Sequence, residues 1–158
     1  MRISFDLDET LFIAPELPTE PELKFPFNRI YKERLRKGAP EFLNRIRNTG
    51  FELWVYTTSN RTEKYIRGYF RKYGVTLDGV VNAQRHEREV VRGRDKSSVP
   101  SKCPSAYRID LHVDDEMSVY QNGIANGFRV YRITDDDKDW TENIWREIER
   151  IAKLKESN

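Results

Sequence analysis

Cysteine is nearly missing from this chain. Cys103 is the only one, which excludes an internal disulfide and a metal site built from several thiolates. No apolar run reaches membrane-spanning length, and no basic leader with an apolar stretch opens the chain. Charge of one sign is also lacking. The 28 Lys and Arg against 26 Asp and Glu leave a net +2, too little to demand a nucleic-acid or membrane partner. No internal repeat, low-complexity tract or linker divides the sequence, so a single domain over 1–158 is expected. A chain of this length buries roughly 70% of its unfolded surface, enough for a core without staples. Its 12% aromatic content argues against disorder. Together these features make a soluble cytoplasmic protein the expectation.

What is present alternates between apolar runs and helical patterns. Ile3 and Phe5 mark a first short strand. Pro15, Pro18, Pro21 and Pro26 then fill an irregular excursion, because proline fixes φ and donates no hydrogen bond. Pro40 suits the first turn of a helix through Phe42, Leu43 and Ile46 that ends near Gly50. Leu53 to Tyr56 reads as a second strand. Ser59 or Asn60 can cap a helix carrying Tyr65, Ile66, Tyr69, Phe70 and Tyr73, stopped by Gly74. Gly79 to Val81 is a third strand. A polar segment, 84–101, follows, in which His86 reads as surface. Leu111-His112-Val113 is a fourth strand, with His112 as a packed histidine, and 128–131 is a fifth. A last amphipathic helix starts near Thr141 with Ile144, Ile148, Ile151 and Leu154 on its inner stripe. Strand–helix alternation predicts an α/β domain with a mainly parallel five-stranded sheet.

The chemistry gathers where strands end. Asp6 and Asp8 follow the first strand, Thr57-Thr58-Ser59 the second, and Asp114-Asp115 the fourth. Ligands of parallel α/β sheets bind beyond the carboxyl ends of the strands. Residues two apart in a strand share a face, so Asp6 and Asp8 would repel there unless a cation or a proton intervenes. A metal site or acid–base chemistry makes sense of such a pair. The triple Asp135-Asp136-Asp137 reads instead as a solvated turn before the last helix.

Asp6-Leu7-Asp8-Glu9-Thr10, then Thr57, then Lys102, then Asp114-Asp115 resemble the four ordered motifs of the haloacid dehalogenase (HAD) superfamily. The resemblance runs from Arg2 to about Tyr131. It implies a three-layer α/β/α fold. Residues 6–11, 37–43 and 56–59 are also similar to the small carboxy-terminal-domain phosphatases, which are capless and act on phosphoprotein. Glu9 stands where the superfamily commonly has glycine, a change that this group shares.

The resemblance implies a phosphatase. Asp6 would be the nucleophile that forms an aspartyl-phosphate, and Asp8 the proton shuttle. Thr57, or Thr58 beside it, would donate to a phosphoryl oxygen near a helix start. Lys102 would neutralise the nucleophile and phosphate, with Lys96 and Lys138 as competitors. Mg²⁺ would be held by Asp6, the Asp8 backbone carbonyl, and Asp115 with Asp114, since magnesium takes hard oxygen ligands. Only about fifty residues separate Asp6 from Thr57, and the gap from Thr57 to Lys102 is filled by short elements. No full cap domain fits, so the expected partner is a bulky phosphorylated substrate such as a protein or a nucleic-acid end, with a small phosphorylated metabolite as an alternative. A non-catalytic binding module on the same fold is the alternative.

Overall fold

The structure is a computed structural model that describes residues 1–157. Five strands, β1 (Arg2–Phe5), β2 (Glu52–Tyr56), β3 (Gly79–Val81), β4 (Leu111–Asp114) and β5 (Val130–Arg132), form one sheet. All neighbouring pairs are parallel, in the order β3-β2-β1-β4-β5. The chain therefore starts in the middle, winds outward through β2 and β3, and returns across β1 to β4 and β5. The direction of winding reverses between β1 and β4.

Alternation along the strands sorts side chains to two faces. Ile3, Phe5, Leu53, Val55, Leu111 and Val113 enter the main core. There they meet Phe42, Leu43 and Ile46 of α1 (Ala39–Asn48), Ile66, Tyr69 and Phe70 of α2 (Glu63–Lys72), and Ile144, Ile148 and Ile151 of α5 (Trp140–Glu156). The opposite face is narrower. Tyr56, Val81, Val90, Tyr107 and Ile109 form a second cluster, with Trp54 packed against it. β1, β3 and β4 are buried along almost their whole length, as a parallel sheet requires, whereas the edge strand β5 is not.

The structure corrects several sequence expectations. The 84–101 segment is not a plain polar loop. It contains a short helix, α3 (Ala83–His86), then a wide turn over Glu87–Val91, and it buries His86, Val90 and Val91. His86 is thus not a surface residue; its Nδ1 lies 2.5 Å from the Tyr56 hydroxyl. Local charge had disguised a segment that covers a sheet face. Thr62, rather than Ser59 or Asn60, caps α2, accepting from the Tyr65 amide at 3.1 Å. Leu154 is 43% exposed, because the helix has run past the core edge by then. The fifth strand begins at Val130, two residues later than the apolar run suggests.

A helix that the pattern did not predict, α4 (Met117–Asn126), joins β4 to β5. Its sequence carries little apolar periodicity and includes Gly123, a residue that costs about 1 kcal/mol in a helix relative to Ala. Packing explains the glycine: a Cβ there would sit 2.7 Å from the Phe128 carbonyl oxygen and 2.9 Å from a Val130 methyl. The Phe128 amide also bonds back to the Gly123 carbonyl at 3.0 Å, so that oxygen cannot readily withdraw. Among the described residues, no helix is long and apolar enough to cross a membrane.

Gly123→Ala weighs these two terms against each other. The helix-propensity gain is about 1 kcal/mol, and forcing a methyl against backbone costs about 1–3 kcal/mol. The expected outcome is a lower midpoint in chemical denaturation. An unchanged or raised midpoint would contradict the close approach of α4 to β5.

Candidate active site

The candidate site lies at the carboxyl ends of β1 and β4, where the winding reverses. The Asp6 amide bonds the Val113 carbonyl at 2.9 Å, so Asp6 extends the β1 ladder by one residue. Its carboxylate lies on the same face as Ser4, His112 and Asp114. From these residues a continuous polar file runs through the interior. Ser4 Oγ is 2.7 Å from His112 Nδ1, and His112 Nε2 is 2.9 Å from Asp114 Oδ2. Lys102 Nζ lies 2.5 Å from Asp114 Oδ2 and 2.9 Å from Asp6 Oδ1. Lys102 is 2% exposed and Asp6 7%.

Each charge in the file is set by its neighbours. Burial pushes the Asp6 carboxyl up, from an ordinary value of 3.8 to about 7, against the opposing pull of Lys102. Burial would also raise Asp114, but the contacts from His112 and Lys102 hold it down, to about 2. Burial would lower Lys102, yet the two carboxylates beside it raise it, so it stays an ammonium. Burial lowers His112. A neutral His112 facing a carboxylate donates from Nε2–H and accepts the Ser4 hydroxyl proton at Nδ1. Asp114 is thereby fixed from three sides, since its Oδ1 accepts from the Glu116 amide at 2.9 Å.

Asp8 is placed differently from its expected position beside Asp6. The chain reverses directly after Leu7, whose carbonyl accepts from the amides of Thr10, Leu11 and Phe12. Glu9 adopts φ 59°, a left-handed conformation that is easy for glycine and uncommon for glutamate. Arg36, buried, braces this turn by donating to the Thr10 carbonyl at 2.7 Å and the Glu9 carbonyl at 3.2 Å. The two aspartates therefore do not crowd one strand face. Asp6 meets Lys102, while the half-exposed Asp8 carboxylate takes two bonds from Arg61, at 2.8 and 2.9 Å.

Thr57 is buried at the end of β2, its amide bonded to the Val81 carbonyl. Its Oγ1 accepts from the Ser59 amide at 3.1 Å, which leaves the hydroxyl proton free to donate; Thr58 is exposed. Of the three lysines weighed for the site, Lys102 is the one brought to Asp6. Lys96 pairs with Glu87 on the surface, and Lys138 lines a separate cavity beside Asp135 and Trp140. Asp135 pairs with Arg36 and Asp137 supports the start of α5 through Asn143, so neither joins the site.

Asp6, Asp114 and Asp115 each offer a carboxylate oxygen within 4.8 Å of the others. This all-oxygen set suits a hard divalent cation. Asp114 is already engaged by Lys102, His112 and the Glu116 amide. Asp115 accepts from the Thr10 hydroxyl at 3.0 Å on one oxygen only. Asp6 and Asp115 are therefore the better placed to hold an ion directly, with Asp114 orienting Lys102. The Asp8 side chain is not part of this trio. Arg36 and Arg61 carry no local sequence signal, because their side-chain partners lie more than 25 positions away, whereas Thr10 belongs to the first motif.

No family model matches the chain, and no curated protein matches its sequence. Among solved structures it is similar to a predicted HAD-like family hydrolase from Porphyromonas gingivalis. That match has a TM-score of 0.51 at 14% identity and covers 93% of this chain and 97% of the other. The fold is HAD-like. A second similar structure, an uncharacterized protein from Listeria monocytogenes serotype 4b, has a TM-score of 0.48 at 18% identity, covering 86% of this chain and 83% of that one. In the HAD-like arrangement the acidic trio sits at the reversal point between β1 and β4, where ligands of such sheets bind.

The raised Asp6 carboxyl has a measurable consequence. The folded state holds the Asp6 proton more tightly than the unfolded chain does. That contribution to stability is full below the unfolded value and is lost as pH rises through about 7. Asp114, depressed, acts in the opposite sense and only at far lower pH. The melting temperature of the metal-free protein should carry a falling component from about pH 4 to just above pH 7 that Asp6→Asn removes. A divalent cation should raise it more at about pH 8 than at about pH 6, because it competes with the Asp6 proton. Identical pH profiles for wild type and Asp6→Asn would contradict the buried environment of Asp6.

Proposed function

We propose that this protein is a Mg²⁺-dependent phosphomonoester hydrolase that works through an aspartyl-phosphate on Asp6. The observation that carries the reading is the Asp6 carboxylate at the reversal point of the sheet, paired with a buried Lys102 and flanked by Asp114 and Asp115. A carboxylate cannot approach a phosphate dianion until charge is neutralised around both, and this site concentrates the means. Asp6, Asp115 and, indirectly, Asp114 would hold the Mg²⁺, which would supply further neutralisation of the phosphoryl oxygens.

The steps assigned to the chain balance simply. An Asp6 oxygen attacks phosphorus and the ester P–O bond breaks. Asp8 delivers a proton to the departing oxygen. Water then attacks the same phosphorus, Asp8 takes its proton, and inorganic phosphate leaves with Asp6 restored. Lys102 holds the attacking carboxylate in place throughout. The Thr57 hydroxyl donates to a phosphoryl oxygen.

A bulky or macromolecular phosphomonoester fits this architecture. Among the described residues, the segment between β1 and α1 contains only one helical turn, Phe27–Arg29, so it supplies no helical cap over the site. Beside Thr57 a cavity of about 310 Å³ is walled by Thr58, His86, Val91, Val99 and Ser101. Its mixed apolar and polar walls can seat the organic part of a monoester while the phosphate faces Asp6.

The test is a panel of phosphorylated metabolites, peptides and nucleic-acid ends assayed with Mg²⁺. Asp6→Asn should abolish turnover while the far-ultraviolet spectrum stays that of the wild type; wild-type rates in that variant would remove Asp6 as nucleophile. Exhaustive chelation should abolish turnover of the wild type, and Mg²⁺ should restore it. Full activity after chelation would end the metal role of Asp115.

A further inference from the structure

Arg61 has no part in the scheme above, yet its side chain is among the most fully committed near the site. Its Nη1 and Nη2 grip the two oxygens of Asp8 at 2.8 and 2.9 Å. Its Nε donates to Glu33 at 2.9 Å, and the Tyr65 hydroxyl donates to the other Glu33 oxygen at 2.7 Å. The guanidinium also lies over the Phe12 ring, 5.4 Å from its centroid. The Arg61 backbone is pinned as well: the Asn82 side chain donates to its carbonyl at 3.0 Å.

Glu33 is anchored independently. The Tyr69 hydroxyl donates to its backbone carbonyl at 3.0 Å. Both Tyr65 and Tyr69 belong to α2, so Glu33 is tied to a rigid helix although it lies in an irregular segment. The chain Tyr65–Glu33–Arg61–Asp8 therefore runs from the helix to the carboxylate with every link hydrogen-bonded. An isolated surface ion pair adds at most about 1 kcal/mol to stability. A planar, two-pronged grip instead fixes direction, which a lysine cannot do. Asp8 is half exposed, so without that grip its carboxylate would turn freely.

We propose that Arg61 is a positioning residue for the Asp8 proton transfer, and that Glu33, in the irregular segment ahead of α1, sets Arg61 in place. This rests on the phosphatase reading. While one Asp8 oxygen turns to the leaving oxygen, the Nε contact with Glu33 keeps the guanidinium fixed and the second oxygen held. The proton passes from Asp8 to the ester oxygen as the P–O bond breaks, and its timing depends on where that carboxyl points. The 31–36 stretch thereby helps to set the direction of the Asp8 carboxyl.

The experiment compares two esters. A 4-nitrophenyl ester leaves without needing a proton, whereas an alkyl ester needs one. Arg61→Met should lower kcat/KM, which reports only the steps up to P–O cleavage, at least about tenfold more on an alkyl monoester than on 4-nitrophenyl phosphate, within the range general acids supply. Arg61→Lys should recover only part of that loss. Glu33→Gln should show the same selectivity in weaker form, and it carries the comparison if Arg61→Met does not fold. An equal loss on both esters, or none, with an active wild type overturns the Arg61 role and leaves the phosphatase reading standing. A wild type inactive on every phosphomonoester removes both.

Discussion

The Lys102 ammonium, set between the Asp6 and Asp114 carboxylates, is the contact on which the rest of this molecule depends. Two carboxylates buried side by side without it would repel, and one would have to take a proton. Removing one partner from a buried ionic cluster typically costs about 3–5 kcal/mol, because the remaining charges are left uncompensated. The cation comes from a loop distant in sequence. The strands therefore bring the carboxylates together, while the 83–107 segment both covers the narrow face of the sheet and delivers the charge that makes this possible. Fold and site share one set of constraints.

The polar file behind that contact extends the same logic inward. His112 and Ser4 sit where apolar side chains would pack a parallel sheet, and they are satisfied only by each other and by Asp114. They leave Asp114 little freedom to rotate, and Asp114 in turn directs Lys102 at Asp6. A neutral histidine here acts as a spacer that donates one hydrogen bond and accepts another. The result is an Asp6 carboxylate, the proposed nucleophile, held by a rigid interior, and an Asp8 carboxylate, the proposed proton carrier, held by a surface network through Arg61. The turn after Leu7 is what separates the two.

Much of this was legible in the sequence, and the failures have physical reasons. The five strands and the helices around Phe42, Tyr69 and Ile148 show because each carries a regular apolar period. Asp6, Thr57 and Asp114-Asp115 show because they fall where strands end, whereas Lys102, in a loop, shows only through the order of the motifs. The helix over Met117–Asn126 does not show, since a glycine chosen for a close backbone approach erases its pattern. His86 and Val90 were concealed by neighbouring charges that face solvent while they face the sheet. Arg36 and Arg61 could not have been found, because what distinguishes them is a partner far along the chain. Asp8 illustrates the limit best: the strand period places it with Asp6, and a reversal one residue earlier moves it to another charge environment.

The central claim is that the Asp6 carboxylate becomes covalently phosphorylated. Rapid-quench mass spectrometry of the Asp8→Asn variant, mixed with Mg²⁺ and 4-nitrophenyl phosphate, tests it most directly. That substrate needs no proton to leave, while loss of Asp8 slows hydrolysis of the adduct. The account predicts a peptide containing Asp6 that is heavier by one phosphoryl group. An adduct on another residue, or turnover with no adduct at any quench time, would contradict it.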